Sequence, residues 1–115
     1  MEFTFDFIRI FFIELAYAGP ILIFLILCIS LMGLIIGRNE GWSRTDALYH
    51  AFINATTVGY GDFRPTRKGS KLLAVATALV GLVFTGIVIA IGVHAADQAF
   101  KKLHESSEIR FRVEK

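Results

Sequence analysis

The sequence predicts an all-α membrane protein, with two transmembrane helices flanking a short re-entrant helix. Three observations lead to this fold class. Of the 115 residues, 55% are hydrophobic, a larger share than soluble domains usually carry. Two long stretches contain no Asp, Glu, Lys or Arg, namely Leu15 to Gly37 and Leu72 to Ala96. Between them, a short helical pattern is followed by closely spaced glycines.

The two uncharged stretches define the transmembrane helices. A helix needs about 20 apolar residues to cross the hydrocarbon core of a bilayer, and both stretches are long enough. We predict an outer helix over residues 19–37 and an inner helix over residues 71–96. Residues 1–18 form an N-terminal segment, predicted as a helix lying along the membrane interface or else as a ragged entry to the first span. Residues 97–115 form a charged tail, expected by default to be a solvated helical extension of the inner helix.

Composition also limits the function classes. The net charge of +2 is too small to indicate nucleic-acid binding. Cys28 is the only cysteine, so the chain cannot form an internal disulfide. His50, His94 and His104 are scattered, with no nucleophile or metal constellation beside them. We therefore expect neither an enzyme nor a cofactor.

The short helix between the spans has its own start signal. Ser43 and Asp46 are spaced as the N-cap and N3 residues of a capping box, and apolar residues then recur at helical intervals. We predict a helix over residues 44–55. At 1.5 Å per residue it would be about 18 Å long, too short to cross the bilayer but suited to a re-entrant half-helix.

The glycines after this helix point to a cation site. Non-helical backbone at membrane depth must be lined by protein or by a water-filled cavity. Gly59 and Gly61 occupy alternate positions, and glycine adopts left-handed backbone without a steric penalty. Such alternation turns successive carbonyl oxygens of Thr57 to Gly61 toward one axis, while Val58 and Tyr60 point away from it. Stacked carbonyl rings can replace the hydration shell of potassium.

The segment Thr57-Val58-Gly59-Tyr60-Gly61-Asp62 resembles the signature of the potassium channel pore-domain family. The resemblance covers about Leu15 to Ala96, and it implies a pore domain over residues 19–96 with a selectivity filter at residues 57–61. It also implies that the ion ligands are the carbonyls of Thr57, Val58, Gly59 and Tyr60, together with the Thr57 hydroxyl.

The resemblance further implies the assembly and its surroundings. One filter strand supplies one oxygen to each ring, so we expect a homotetramer in the lipid bilayer of a plasma or inner membrane, with both termini cytoplasmic. Potassium would be the permeant ion. Two alternatives remain open. One is a channel of the same fold that conducts sodium as well, and the other is a non-conducting membrane interaction subunit.

Two pairs of residues are candidates for structural contacts, one beside the filter and one on the outer helix. Tyr49 and Asp62 match positions that hydrogen-bond in some family members, although Tyr49 could instead be an aromatic anchor without that bond. Gly33 and Gly37 form a GxxxG pair on the outer helix, which is weak evidence for a close helix contact.

The inner helix carries the candidate gating residues. Gly81 falls where family members place a hinge, and Gly86 is a second weak point, since glycine lowers helix stability by up to about 1 kcal/mol relative to alanine. The alternative for Gly81 is close helix packing. Beyond these glycines, three residues are predicted to line the inner mouth: Ile89, Ala90 and Val93.

Overall fold

The computed structural model describes residues 1–115 and contains four α-helices and no β-strand. They are α1 (Glu2–Tyr17), α2 (Gly19–Glu40), α3 (Arg44–Ala55) and α4 (Lys68–Glu114). The all-helical fold class is therefore confirmed. The transmembrane part of the inner helix was expected to end at residue 96 with a helical extension after it, and α4 does continue through the tail without interruption, because residues 97–115 contain no glycine or proline to stop it.

Two of these helices are long and apolar enough to cross a membrane, namely α2 and α4. Only 28% of the most apolar window of α2 and 11% of that of α4 is buried within the chain. The core helix of a soluble protein would bury most of such a surface. The apolar faces of α2 and α4 are thus available to lipid or to other subunits.

The chain forms two compact units. The first comprises Pro20–Gly86 and is called here the central unit; the second comprises Met1–Gly19 with Ile87–Lys115 and is called the terminal unit. The division falls within α4, directly after Gly86. A methyl group at Gly86 would meet no atom within 4 Å.

Small residues bring α2 and α3 together in the central unit. A methyl group at Gly33 would collide with the Cβ of Ala51, and one at Gly37 would collide with the Cβ of Ala47. The GxxxG pair of α2 therefore receives the small residues of α3 within the same chain. Nearby, Ile29 is buried in a cluster with Ala51 and is 1% exposed.

The inner helix approaches α3 equally closely. A methyl group at Gly81 would collide with the backbone of Ala55, the last residue of α3. Phe52 and Val80 pack against the buried cluster beside this contact. Close packing thus gives a physical reason for glycine at position 81.

Larger side chains hold the terminal unit together. The rings of Phe3 and Phe100 lie 4.5 Å apart, so the start of α1 packs on α4 at residue 100. The Glu14 carboxylate lies 3.0 Å from Nε2 of His94. No residue of α1 is buried. The N-terminal segment is helical as expected, and its position at a membrane interface stays a prediction.

Candidate functional site

Helix α3 leads directly into the predicted filter. The Ser43 side chain accepts a hydrogen bond of 3.1 Å from the backbone N–H of Asp46, which confirms the predicted N-cap. At the other end, the Thr56 hydroxyl donates a hydrogen bond of 2.6 Å to the carbonyl of Phe52. The carboxyl end of the helix, which carries about half a negative elementary charge, therefore lies immediately before Thr57.

The backbone of the filter segment alternates in handedness. Thr57, Gly59 and Gly61 have φ angles of +67°, +55° and +80°, whereas Val58 and Tyr60 keep negative φ. The glycine positions follow the sequence expectation, but left-handed backbone at Thr57 was not foreseen. The sequence did indicate it, because left-handed residues recur at every second position, and this spacing extends back from Gly61 through Gly59 to residue 57. A β-branched residue rarely adopts this conformation.

Hydrogen bonds fix the inner part of the segment. The N–H of Thr57 donates to the Asn54 carbonyl at 3.2 Å, and the N–H of Gly59 donates to the Ile53 carbonyl at 3.1 Å. The Asn54 side-chain amide in turn donates to the Ala74 carbonyl of α4 at 2.8 Å. The segment is thereby tied to α3, and α3 to α4.

The last residue of the segment is held by an arginine that the sequence analysis missed. Nε of Arg64 donates a hydrogen bond of 2.8 Å to the Gly61 carbonyl. By contrast, the carbonyl oxygens of Thr57, Val58, Gly59 and Tyr60 accept no hydrogen bond. Within the chain, four of the five filter carbonyls thus remain without a donor.

Glu40 holds the loop that follows the filter. Its carboxylate accepts hydrogen bonds from the backbone N–H groups of Thr66 and Arg67, both at 2.9 Å, and from the Thr66 hydroxyl at 2.7 Å. These bonds, with that from the Arg67 N–H contributing most, lower the pKa of Glu40 to about 2. A residue at the end of α2 thus caps the backbone that begins α4, a role that the sequence analysis did not identify.

Tyr49 and Asp62, the residues predicted to support the filter, lie near each other without forming a direct hydrogen bond. Partial burial, followed by the neighbouring Asp62 carboxylate, raises the pKa of the Tyr49 phenol, which shows that the two groups are close. No hydrogen bond of ordinary length and angle joins them, and the Tyr49 ring packs edge-on against Phe63, with centroids 6.1 Å apart. The role of Tyr49 and Asp62 in supporting the filter stays a prediction.

Two side chains of the filter segment are more than half exposed in the single chain. Val58 is 51% exposed and Tyr60 is 71% exposed. A cavity of about 190 Å³ is lined by residues of α3, the filter segment, the following loop and α4, including His50 and Asn54. Nδ1 of His50 is buried without a hydrogen-bond partner.

The candidate gating residues all lie on α4, which is helical through both glycines. Gly81 is packed against Ala55, whereas Gly86 has open space around it. Ile89 and Val93 are 60% and 66% exposed and lie one turn apart. The hinge and the inner mouth stay predictions.

Comparison with known proteins places this arrangement in a family. A family model described as an ion channel matches residues 7–98. The chain is 33% identical over 85 residues to TWiK family of potassium channels protein 7 of Caenorhabditis elegans, covering 73% of this chain and 14% of that protein. It is 37% identical over 76 residues to two-pore potassium channel 1 of Arabidopsis thaliana, covering 66% of this chain and 20% of that protein.

A human relative, potassium channel subfamily K member 17, is 45% identical over 49 residues, which cover 43% of this chain and 15% of that protein. The chain thus matches no more than about a fifth of the length of any of these three relatives. No solved structure matches it. Because the family model covers most of the sequence, the chain belongs to the ion channel family, as a member of the potassium channel pore-domain family that the filter motif predicted.

Proposed function

We propose that this chain is one subunit of a homotetrameric, potassium-selective channel and that residues 57–61 form one quarter of its selectivity filter. The observation that carries the proposal is the alternation of φ from Thr57 to Gly61. Alternating handedness turns successive carbonyls to the same side of a strand, and four such strands around an axis would form stacked oxygen rings.

The hydrogen bonding of the filter supports the same arrangement. The four carbonyls from Thr57 to Tyr60 have no donor within the chain, and carbonyl oxygens left without partners at membrane depth are costly. A dehydrated potassium ion supplies that partner. The Gly61 carbonyl already has one in Arg64, so we assign the ion ligands to Thr57, Val58, Gly59 and Tyr60.

The exposed side chains supply the reason for assembly. Val58 and Tyr60 are more than half exposed in the single chain, although the filter would lie at membrane depth. Packing of these side chains against neighbouring subunits would bury them behind the filter strands. The carboxyl ends of four α3 helices would then surround the axis and favour a cation at mid-membrane.

The proposed gate lies on the exposed face of α4. Ile89 and Val93 are separated by one helical turn and are exposed, so four copies could form apolar rings that close the pore by dewetting. In the tetramer both termini would lie in the cytoplasm. Gly86, rather than Gly81, has the free space that a hinge in α4 would require.

Ion flux through the purified chain tests the proposal. Liposomes containing the protein should take up potassium far faster than sodium, with block by barium, and native mass spectrometry should show four copies. Equal sodium and potassium rates would indicate a non-selective channel, while absence of any current would indicate a non-conducting subunit.

Two substitutions test whether the filter residues determine the ion flux. Gly59→Ala places a side chain on left-handed backbone, and Tyr60→Asp removes the aromatic ring behind the filter. Both should impair selectivity or conduction while the tetramer persists. Unchanged selectivity in both variants would contradict the filter assignment.

A further inference from the structure

Arg64 binds the last carbonyl of the filter segment and no other. Its Nε donates a hydrogen bond of 2.8 Å to the Gly61 oxygen, whereas the oxygens of residues 57–60 accept no hydrogen bond within the chain. Arginine is always protonated in proteins, so the Gly61 oxygen faces a full positive charge. The segment therefore contains two kinds of carbonyl, four that are free to bind a cation and one that a cationic side chain already holds.

The backbone on both sides of this hydrogen bond is restrained. Pro65 restricts the residue before it, Arg64, to extended backbone. Thr66 follows, and Glu40 accepts hydrogen bonds from its N–H at 2.9 Å and from its hydroxyl at 2.7 Å. Gly61 has a φ of +80°, and a methyl group there would lie 3.9 Å from Nε of Arg64. Only the side chain of Arg64 thus has to be ordered to form the bond.

No acidic side chain neutralises Arg64. The three ion pairs of the chain involve other residues, so Asp62, two positions away, is not an ion-pair partner. The Glu40 carboxylate is engaged by the N–H groups of Thr66 and Arg67. Arg64 is exposed and carries five N–H donors, of which only Nε–H is used within the chain. In the proposed tetramer, four such charges would surround one end of the filter.

The place of Gly61 in the segment makes this contact relevant to ion entry. In the proposed assembly, the Gly61 carbonyls would form the first oxygen ring that an ion meets from the outer side. A carbonyl bound to a guanidinium is a poor ligand for a second cation, because the two positive charges repel each other. Potassium gives up water only where oxygens replace it. Dehydration would then begin one ring further in, at Tyr60.

We propose that Arg64 withdraws the Gly61 carbonyl from ion binding and thereby sets how readily potassium enters the filter from the outer side. Arg64 is a positioning residue, because it acts through the peptide oxygen that it holds. At the inner end, the Thr57 carbonyl has no such donor, so entry from that side does not depend on Arg64. This inference rests on the proposed channel function and adds to it a residue that controls entry from one side.

Isotope labelling can observe the Gly61 carbonyl by itself. Gly61-Asp62 is the only Gly-Asp pair of the sequence, and Gly59-Tyr60 is the only Gly-Tyr pair. With ¹³C in the glycine carbonyl and ¹⁵N in either aspartate or tyrosine, solid-state NMR of the full chain in liposomes reports Gly61 or Gly59 separately. When sodium is replaced by potassium at constant ionic strength, the Gly59 carbonyl shift should move and the Gly61 carbonyl shift should stay unchanged.

Arg64→Gln removes the cation from the Gly61 oxygen. In this variant the Gly61 carbonyl shift should respond to potassium as that of Gly59 does. The matched control is Arg67→Gln, which removes the same charge from the same loop, where the Arg67 side chain makes neither a hydrogen bond nor an ion pair. In the control, the Gly61 carbonyl shift should stay independent of potassium.

Single-channel currents measure the consequence for ion entry. The protein is recorded in planar bilayers while potassium is varied on one side at a time. Arg64→Gln should lower the half-saturating potassium concentration about fivefold on one side, because a unit charge at about 4 Å in water changes the energy of an ion by about that factor. The half-saturating concentration on the other side, and the maximal current, should change less. Arg67→Gln should produce at most a shift that high salt abolishes.

Three results would overturn the inference. The first is a wild-type Gly61 carbonyl shift that moves with potassium as much as that of Gly59, a comparison that needs no variant and holds even if Arg64→Gln fails to assemble. The second is a Gly61 shift that ignores potassium in Arg64→Gln as well. The third is an equal change of half-saturation in Arg64→Gln and Arg67→Gln, which would indicate general surface charge.

Failure of the proposed function would look different. In that case the wild-type Gly59 carbonyl shift would not respond to potassium, and the wild-type chain would carry no potassium current. Both proposals would then fall together. A wild-type chain that conducts potassium, with a responsive Gly59 carbonyl, leaves the role of Arg64 to be decided by Gly61 alone.

Discussion

The contacts inside the central unit differ in kind from the contacts inside the terminal unit. In the central unit, helices meet where glycine faces alanine, so that backbones touch without intervening side chains. In the terminal unit, α1 and α4 meet through the rings of Phe3 and Phe100 and through a contact between the Glu14 carboxylate and the His94 imidazole. Only in the central unit are the helices so close that an added methyl group would collide with a neighbouring helix. The proposed filter, whose oxygens must be placed to within a fraction of an ångström, lies in the unit with the tighter contacts.

Substitution of Gly81 is the strongest test of the tighter packing in the central unit. A methyl group there collides with the backbone of Ala55, which cannot move without shifting the end of α3. We expect Gly81→Ala to destabilise the protein by about 1–3 kcal/mol, the usual range for overpacking, and to reduce potassium selectivity as well. Thermal unfolding and ion flux measure the two effects.

Gly86→Ala is the matched control for that substitution. It makes the same chemical change in the same helix, five residues further on, with open space around it. Alanine should be tolerated there, or should stabilise the helix by up to about 1 kcal/mol. Equal destabilisation by the two variants would contradict the packing account of Gly81.

A second test concerns the contact between α2 and α3. Gly37→Ala would bring its methyl group against the Cβ of Ala47, and we expect a smaller loss of stability, because this neighbour is a side-chain atom. Adding Ala47→Gly should restore much of the loss. A double-mutant cycle measures the coupling, for which about 0.5–3 kcal/mol is typical of residues in contact. Additive effects would show that the two residues do not touch.

Glu40 offers a test by pH. Its pKa is lowered from 4.5 to about 2 in the folded chain, so its contribution to stability is fully present above pH 4.5 and is lost as the pH falls toward 2. Glu40→Gln should lower the unfolding temperature at neutral pH and flatten the acid dependence between these values. Thermal scans from pH 7 to pH 2 measure both. Parallel curves for the two proteins would rule out the hydrogen-bonded carboxylate.

The smallest effect is expected in the terminal unit. The Glu14 and His94 side chains are 30% and 52% exposed, and at such exposure even a pair in which both groups are charged contributes about 1 kcal/mol or less. Glu14→Gln should therefore change the unfolding free energy only slightly, and less so at high salt. A loss of stability as large as that of Gly81→Ala would show that the terminal unit is as tightly packed as the central unit.

The features that depend on local sequence were predicted well. The start of α3 follows from Ser43 and Asp46, three residues apart, and the left-handed glycines of the filter follow from their spacing. The lengths of the apolar stretches gave the two long helices. Each of these signals lies within one element, where backbone preferences act directly.

The features that were missed join distant parts of the chain. Glu40 reaches Thr66, 26 residues away, and no local pattern indicates which backbone a carboxylate will cap. Gly81 had two interpretations, a hinge or a close helix contact, and the sequence did not identify Ala55 as its neighbour because that contact depends on how two helices cross.

The conformation of Thr57 has a consequence for the empty filter. Left-handed backbone in a residue other than glycine raises the free energy by roughly 1–2 kcal/mol, and the proposed assembly would repeat this four times in one ring. Without an ion, no group in the chain donates a hydrogen bond to the carbonyls of Thr57 to Tyr60. The peptide groups of this segment can then relax by rotating. In such a tetramer the permeant ion would also be a structural component, and a vacated filter would be the state most prone to rearrange.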